Sequence, residues 1–224
     1  NIIIAQSRPE DTVATLEHGY DVYPADTEYF CYTQNKAGNV AYDTVLLPVE
    51  EGVDMDLVVE NMKTDADPTI ASAMQISMFK NDEPRKNVIY YQSRGDNVAT
   101  HTFGDYSANA ETSVMTFDVD GMMETLDVFG AKELKKDGQI IFKSEDEITD
   151  LSVNFNGSAL ELYSSDDKIK QTAFQIAVPK SVKKVTLNGR AVGYIYANNQ
   201  VYVNADNLEN VLLSDGIVYS SEIS

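Results

Sequence analysis

Tryptophan is absent from this 224-residue chain, cysteine occurs once and histidine twice. A single cysteine excludes an internal disulfide. Cys31 sits in the alternating, aromatic-rich stretch "TEYFCYTQ", where a buried structural thiol is expected and nothing nearby would activate a thiolate. His18 and His101 are far apart in sequence. A zinc centre needs convergent ligands at tight spacing, and no such spacing is present. Long apolar runs are missing too: none approaches the roughly 18 residues of a membrane-spanning helix. The opening "NIIIAQ" is too short for a signal peptide and lacks its basic start. Since the chain does not begin with methionine, the expectation is a mature product or an excised piece, with room for an export signal upstream.

Positive charge is the scarcest resource. Lys plus Arg number 17 against 36 Asp plus Glu, for a formal net charge of −19. A field of that sign repels nucleic acid, anionic membranes and polyanionic glycans unless a local basic patch overrides it. Two such patches exist, Lys180, Lys183, Lys184 and Arg190, and Lys132, Lys135 and Lys136. Both flank predicted hairpin turns, where a solvated rim is the simpler account. Nucleic-acid binding is not expected.

What is present is sheet. Segments of roughly six to nine residues rich in Val, Ile, Tyr, Phe and Thr alternate with turn residues along most of the chain. The predicted strands are 28–34, 39–49, 54–63, 70–80, 86–93, 97–103 and 112–119, then 123–129, 139–143, 148–155, 158–163, 171–178, 182–187, 191–196, 200–203 and 216–220. The start, 6–27, reads as a loop. Asp-Gly or Asn-Gly marks hairpin corners at "KDGQ" (136–139), "FNGS" (155–158) and "LNGR" (187–190), because both central residues there tolerate φ > 0. "ANNQ" (197–200) carries a weaker form of the signal. Alternation at 54–59 sets Met55, Leu57 and Val59 against Asp54, Asp56 and Val58. At 182–187 it sets Val182, Lys184 and Thr186 against Lys183, Val185 and Leu187. One buried and one wet face is the mark of antiparallel sheet. The only helix-like window is 205–213. The expected fold is all-β, a large antiparallel multi-stranded β-sandwich over 1–224 with a loop-rich lead-in at 1–27.

Chemistry is harder to find. "FDVDGMMETLD" (117–127) holds Asp118, Asp120 and Glu124, a fragment of an acidic calcium loop without the full spacing or the closing glutamate. A turn after a strand explains it equally well. Calcium stays open as a cofactor; no other cofactor and no metal site is indicated. There is no G-x-S-x-G elbow and no glycine-rich phosphate loop. The 13 tyrosines are more suggestive. Tyr90 and Tyr91 are adjacent in a strand, so one faces the core and the other does not. Tyr194, Tyr196 and Tyr202 are expected to line one face of the last hairpin. Exposed tyrosines offer sugars a flat apolar body with a hydrogen-bonding tip. These five are the carbohydrate-contact candidates, although tyrosine is also simply a good strand residue.

The order "YFCYTQ", "NVAYDTVLLPVEEG", "KNVIYYQSRG", "GAKELKKDGQIIFKSEDEITDLSVNFNGSALELYSS" and "VKKVTLNGRAVGY", across roughly 28–204, resembles the C-terminal β-sheet region of the heparinase II/III-like polysaccharide lyases. The pattern rests on Tyr42, Thr44, Val45, Leu46, Leu47 and Pro48, and on Val185, Leu187, Asn188 and Gly189. The resemblance implies a layered super-sandwich that follows an N-terminal helical toroid domain in a bacterial protein working outside the cell or in the periplasm. It also implies a polysaccharide substrate containing uronate. In such lyases the catalytic Tyr, His and Asn come mostly from the toroid, and no motif carrying them matches a position here. The expectation is therefore a non-catalytic or substrate-flanking domain, inactive alone. A stand-alone carbohydrate-binding or cell-surface interaction module, and a hydrolase with a convergent site, stay open beside it.

Overall fold

In a computed structural model of the chain, the described residues are 2–6, 12–20, 26–34, 43–52, 55–80, 83–93 and 98–204. Most of them are strand. β1 (Ile2–Gln6) pairs antiparallel with β4 (Thr44–Pro48), and β2 (Thr12–Tyr20) with β3 (Asp26–Gln34). The expected loop at 6–27 is thus corrected: β2 occupies much of it. The reading as a loop followed Pro9 and Pro24, but the β-branched and aromatic residues between them form a strand once β3 is there to pair.

The remaining strands form one 14-stranded sheet. In chain order they are β5 (Met55–Met62), β6 (Ala71–Lys80), β7 (Glu83–Gln92), β8 (Thr100–Phe103), β9 (Tyr106–Asn109) and β10 (Thr112–Phe117). Next come β11 (Met123–Lys136), β12 (Gln139–Asn156), β13 (Ala159–Tyr163) and β14 (Phe174–Ala177). β15 (Lys184–Leu187), β16 (Arg190–Ala191), β17 (Tyr194–Ala197) and β18 (Gln200–Val203) complete it. Every pairing is antiparallel except β13 with β15. A 3₁₀ turn at Asp167–Lys170, capped by the Asp166 carboxylate accepting from the Lys168 N–H, is the one helical element among the described residues. No helix among them is long and apolar enough to cross a membrane.

β11 and β12 organise the sandwich. The first half of β11 pairs with β10 and its second half with β9, while β12 pairs first with β14 and later with β13. Each long strand therefore passes from one layer to the other. The bend is made by irregularity: the β11–β12 register runs Ala131↔Ile148 and resumes at Glu133↔Lys143. The extra residues of β12 bulge outward, with Glu145, Asp146 and Glu147 exposed. Gly130, just before the break, has φ +52°, and a Cβ there would lie 2.6 Å from the Glu111 side chain. Strands that switch layers at bulges are a standard way to turn the corner of a sandwich. Reading 123–129, 139–143 and 148–155 as separate short strands missed this, because bulges interrupt the period-2 pattern without ending the strand.

Between the layers Tyr90, Phe103, Met115, Leu126, Leu134, Phe142, Leu151, Leu160, Leu162 and Ile176 are all fully buried. Each contributes about 1.5–3 kcal/mol by leaving water. Tyr90 of β7 stacks on Phe103 of β8 with centroids 4.8 Å apart, and Phe103 stacks on Tyr106 at 5.4 Å. The β8–β9 hairpin so clamps over β7. Its corner, Gly104-Asp105, was absent from the sequence expectation, where strand 97–103 led directly to 112–119.

The turns follow the residues closely. Asp137 and Gly138, Asn188 and Gly189, and Asn198 and Asn199 all have positive φ between paired strand ends, as type I′ hairpins require. "FNGS" differs. Asn156 pairs with Ala159 as the last strand residue, so Gly157-Ser158 is the corner and Gly157 alone has positive φ. That is the type II′ arrangement, with glycine first. Alternation at Met55–Glu60 holds, with Met55, Leu57 and Val59 the more buried. At β15 it does not: Val185, Thr186 and Leu187 are all buried, so both faces of the strand are covered there. The windows 205–213 and 216–220 lie outside the described residues.

Candidate functional site

Period 2 divides the paired tyrosines of β7 as expected. Tyr90 is fully buried, and its hydroxyl accepts from Gln92 Nε2 at 3.2 Å. Burial, reinforced by the nearby Asp65 carboxylate, pushes its phenol up to about 12. Such a ring has no surface to offer a sugar. Tyr91 points the other way and keeps 54% of its surface.

The terminal hairpin does not present three tyrosines on one face. Tyr194 pairs with Val203 and Tyr196 with Val201, but Tyr202 pairs with Ile195. Residues directly opposite share a face, so Tyr202 lies on the side away from Tyr194 and Tyr196. Tyr202 is buried, and burial pushes its phenol up. Tyr194 and Tyr196 are half-buried against the core. Their hydroxyls donate to Val182 O (3.4 Å) and Asn199 Oδ1 (3.0 Å), respectively.

Cross-strand register reveals a different set. On the face turned away from Tyr90, Leu126 and Leu151, one row of the sheet reads Ser72, Tyr91, Thr112, Phe129, Asp150. The next reads Asn61, Met74, Ile89, Val114, Asp127, Ser152, Tyr163. A third reads Val59, Ile76, Asn87, Thr116, Thr125, Asn154, Glu161, Thr186. Phe129 and Tyr163 keep 43% and 47% of their surface, so with Tyr91 they form three open rings on one face. With strands about 4.8 Å apart, Tyr91 and Phe129 stand about 10 Å apart across β10. Polar groups fill the intervals. Asp150 Oδ2 and Oδ1 accept from Ser165 N (2.7 Å) and Oγ (2.9 Å), and the Tyr163 hydroxyl lies 3.4 Å from Glu161 Oε2. Asn87 Oδ1 accepts from Thr116 Oγ1 at 2.8 Å. The three rows hold Asp127, Asp150 and Glu161, and neither Lys nor Arg. Phe129 and Tyr163 carry no local sequence signal, because only strand pairing sets them beside Tyr91.

His101, on β8, lies with Nδ1 2.9 Å from Asp65 Oδ1, and its Nε2 is buried without a partner. Burial opposes the Asp65 charge, but hydrogen bonds from Thr102 and His101 outweigh it and lower the carboxyl's pKa. The pair fastens the β5–β6 connection to β8.

His18, expected in a loop, is in β2 opposite Glu28, and Cys31 in β3 opposite Thr15. Their side chains are outside the described residues. Asp118 accepts from the backbone N–H of Asp120 (2.9 Å) and Met122 (2.8 Å), and Glu124 pairs with Arg85 at 3.0 Å. In this turn the Asp118 carboxylate serves the local backbone and Glu124 a neighbouring arginine. Among the described residues no three of His, Cys, Asp and Glu are placed to hold a metal. In the basic groups, Lys135 pairs with Glu133 at 2.5 Å, and Lys136 stands 5.5 Å over the Tyr106 ring.

Compared with family models and with curated proteins, the chain matches none.

Proposed function

We propose that the chain is a substrate-flanking, non-catalytic β-sandwich domain of a heparinase II/III-like bacterial polysaccharide lyase acting on uronate-containing glycans. In this reading it works outside the cell or in the periplasm beside an N-terminal helical toroid domain. The observation that carries it is the placement of the resembling segments. "TVLLP" is β4, "KNVIYYQ" lies in β7, "KDGQ" joins β11 to β12, "FNGS" joins β12 to β13, and "VTLNGRA" is the β15–β16 hairpin. Within the large sheet each quoted stretch falls on a strand or a hairpin corner, which supports the reading.

β-Elimination beside a uronate needs a base at the α-proton and a partner that neutralises the carboxylate. Here Tyr90 is buried and held neutral, and His101 Nε2 is enclosed. Tyr90 serves the core and His101 holds Asp65, which supports a flanking role with the chemistry supplied from elsewhere. The test is release of unsaturated uronate, followed by its ultraviolet absorbance, from the chain alone and from the longer protein carrying the upstream region. Activity is expected only in the longer protein; cleavage by the isolated chain overturns the reading.

A second reading, a stand-alone carbohydrate-binding module, is favoured by the open rings of Tyr91, Phe129 and Tyr163. Glycan-array binding by the isolated chain, with no lyase activity in any longer form, would select it.

A further inference from the structure

We infer that the sheet face carrying Tyr91, Phe129 and Tyr163 is a binding surface for a neutral, hydroxyl-rich glycan. The inference deepens the carbohydrate-binding reading above and rests on it for a glycan as the ligand class. The three rings are the large aromatic side chains left open on the described part of this face. Register places Thr112 between Tyr91 and Phe129, and places Asp127 and Ser152 in the Tyr163 row. Rings separated by about 10 Å, with hydroxyls and carboxylates between them, suit a ligand whose C–H faces stack and whose O–H groups donate. Asp150, held by Ser165, supplies acceptors at a fixed position, and Asp127 stands in the next row.

The charge selects among ligands. A uronate chain laid here would meet Asp127, Asp150 and Glu161 with no Lys or Arg in the same rows, on a molecule of net charge −19. A packed protein layer would bury those carboxylates without cations, which is costly. A neutral sugar meets neither penalty, because its hydroxyls satisfy the carboxylates and its presence leaves the charge unchanged.

Calorimetric titration of the 224-residue chain with cellohexaose, xylohexaose and mannohexaose, against mannuronate and galacturonate hexamers, tests this. At least one neutral hexamer is expected to bind, with affinity insensitive to added salt. Tyr91→Ala, Phe129→Ala and Tyr163→Ala should each weaken it about ten-fold. Since these side chains are exposed, circular dichroism and thermal unfolding should stay as in the parent chain. Asp127→Lys should admit a uronate hexamer. Failure of every neutral hexamer to bind, tighter binding of a uronate hexamer by the parent chain, or full affinity in all three alanine variants overturns the inference. So does loss of neutral-hexamer binding in the longer protein, which would make the face a docking surface for the upstream region. Unsaturated-uronate release by that longer protein reads the lyase assignment separately; its absence with hexamer binding retained leaves this surface standing.

Discussion

Tyr90 shows how one side chain ties packing to proton binding. Its ring stacks on Phe103, and its hydroxyl is held by Gln92, whose amide also donates to Ala99 O and Ala110 O. Burial raises the phenol to about 12, while an unfolded tyrosine ionises near 10. Between those values the unfolded chain has lost a proton that the folded one keeps. Stability from this group is therefore full below about pH 10 and falls as pH rises toward about 12, by up to about 1.4 kcal/mol per pH unit. Urea unfolding across that range should show a shallower alkaline loss in Tyr90→Phe than in the parent chain. That Tyr90 and Tyr91 face opposite ways was legible from adjacency in a strand. Which of them faces inward was not, since both have the same chemistry and only the Phe103 platform decides it.

At the scale of elements, the glycines of hairpin and bend do different work. Gly157 has φ +61° with open space around its missing side chain, so Gly157→Ala should cost about 1 kcal/mol from backbone strain alone. Gly130 combines φ +52° with a Glu111 side chain only 2.6 Å from where a methyl group would stand, so Gly130→Ala should cost about 2 kcal/mol or more. Chemical denaturation of both variants measures the difference, and equal losses would remove the steric part of the argument. The dipeptide signals at 137–138 and 188–189 placed their corners correctly because φ > 0 is a local demand. The "FNGS" corner shifted by one residue because the pairing of Asn156 with Ala159 belongs to two strands at once.

The 14-stranded sheet is folded into layers through β11 and β12, and this makes its core continuous. Leu162 of β13 and Phe174 of β14 lie on opposite branches of the sheet, yet belong to one buried cluster. Leu162→Ala and Phe174→Ala should each lose about 3 kcal/mol and each shift a single unfolding transition. Two separated transitions would show that the branches melt independently. Charge acts at this scale too. With −19 on the surface, self-repulsion opposes compaction, so the urea midpoint should rise as sodium chloride is added and screening shortens the reach of each charge. A flat salt response would mean that the acidic groups are already locally compensated.

Sequence alone determined the fold class, the antiparallel preference and most corners, because alternation and turn chemistry are local properties of consecutive residues. It also determined the sign of the field that any ligand meets. Tertiary structure decided which strands continue through bulges and which tyrosines are open. It also decided that Tyr91, Phe129 and Tyr163 share a face, through the pairing of β7, β10, β11, β12 and β13. Register is a relation between distant segments, and a shift of one residue sends every side chain of a strand to the other side.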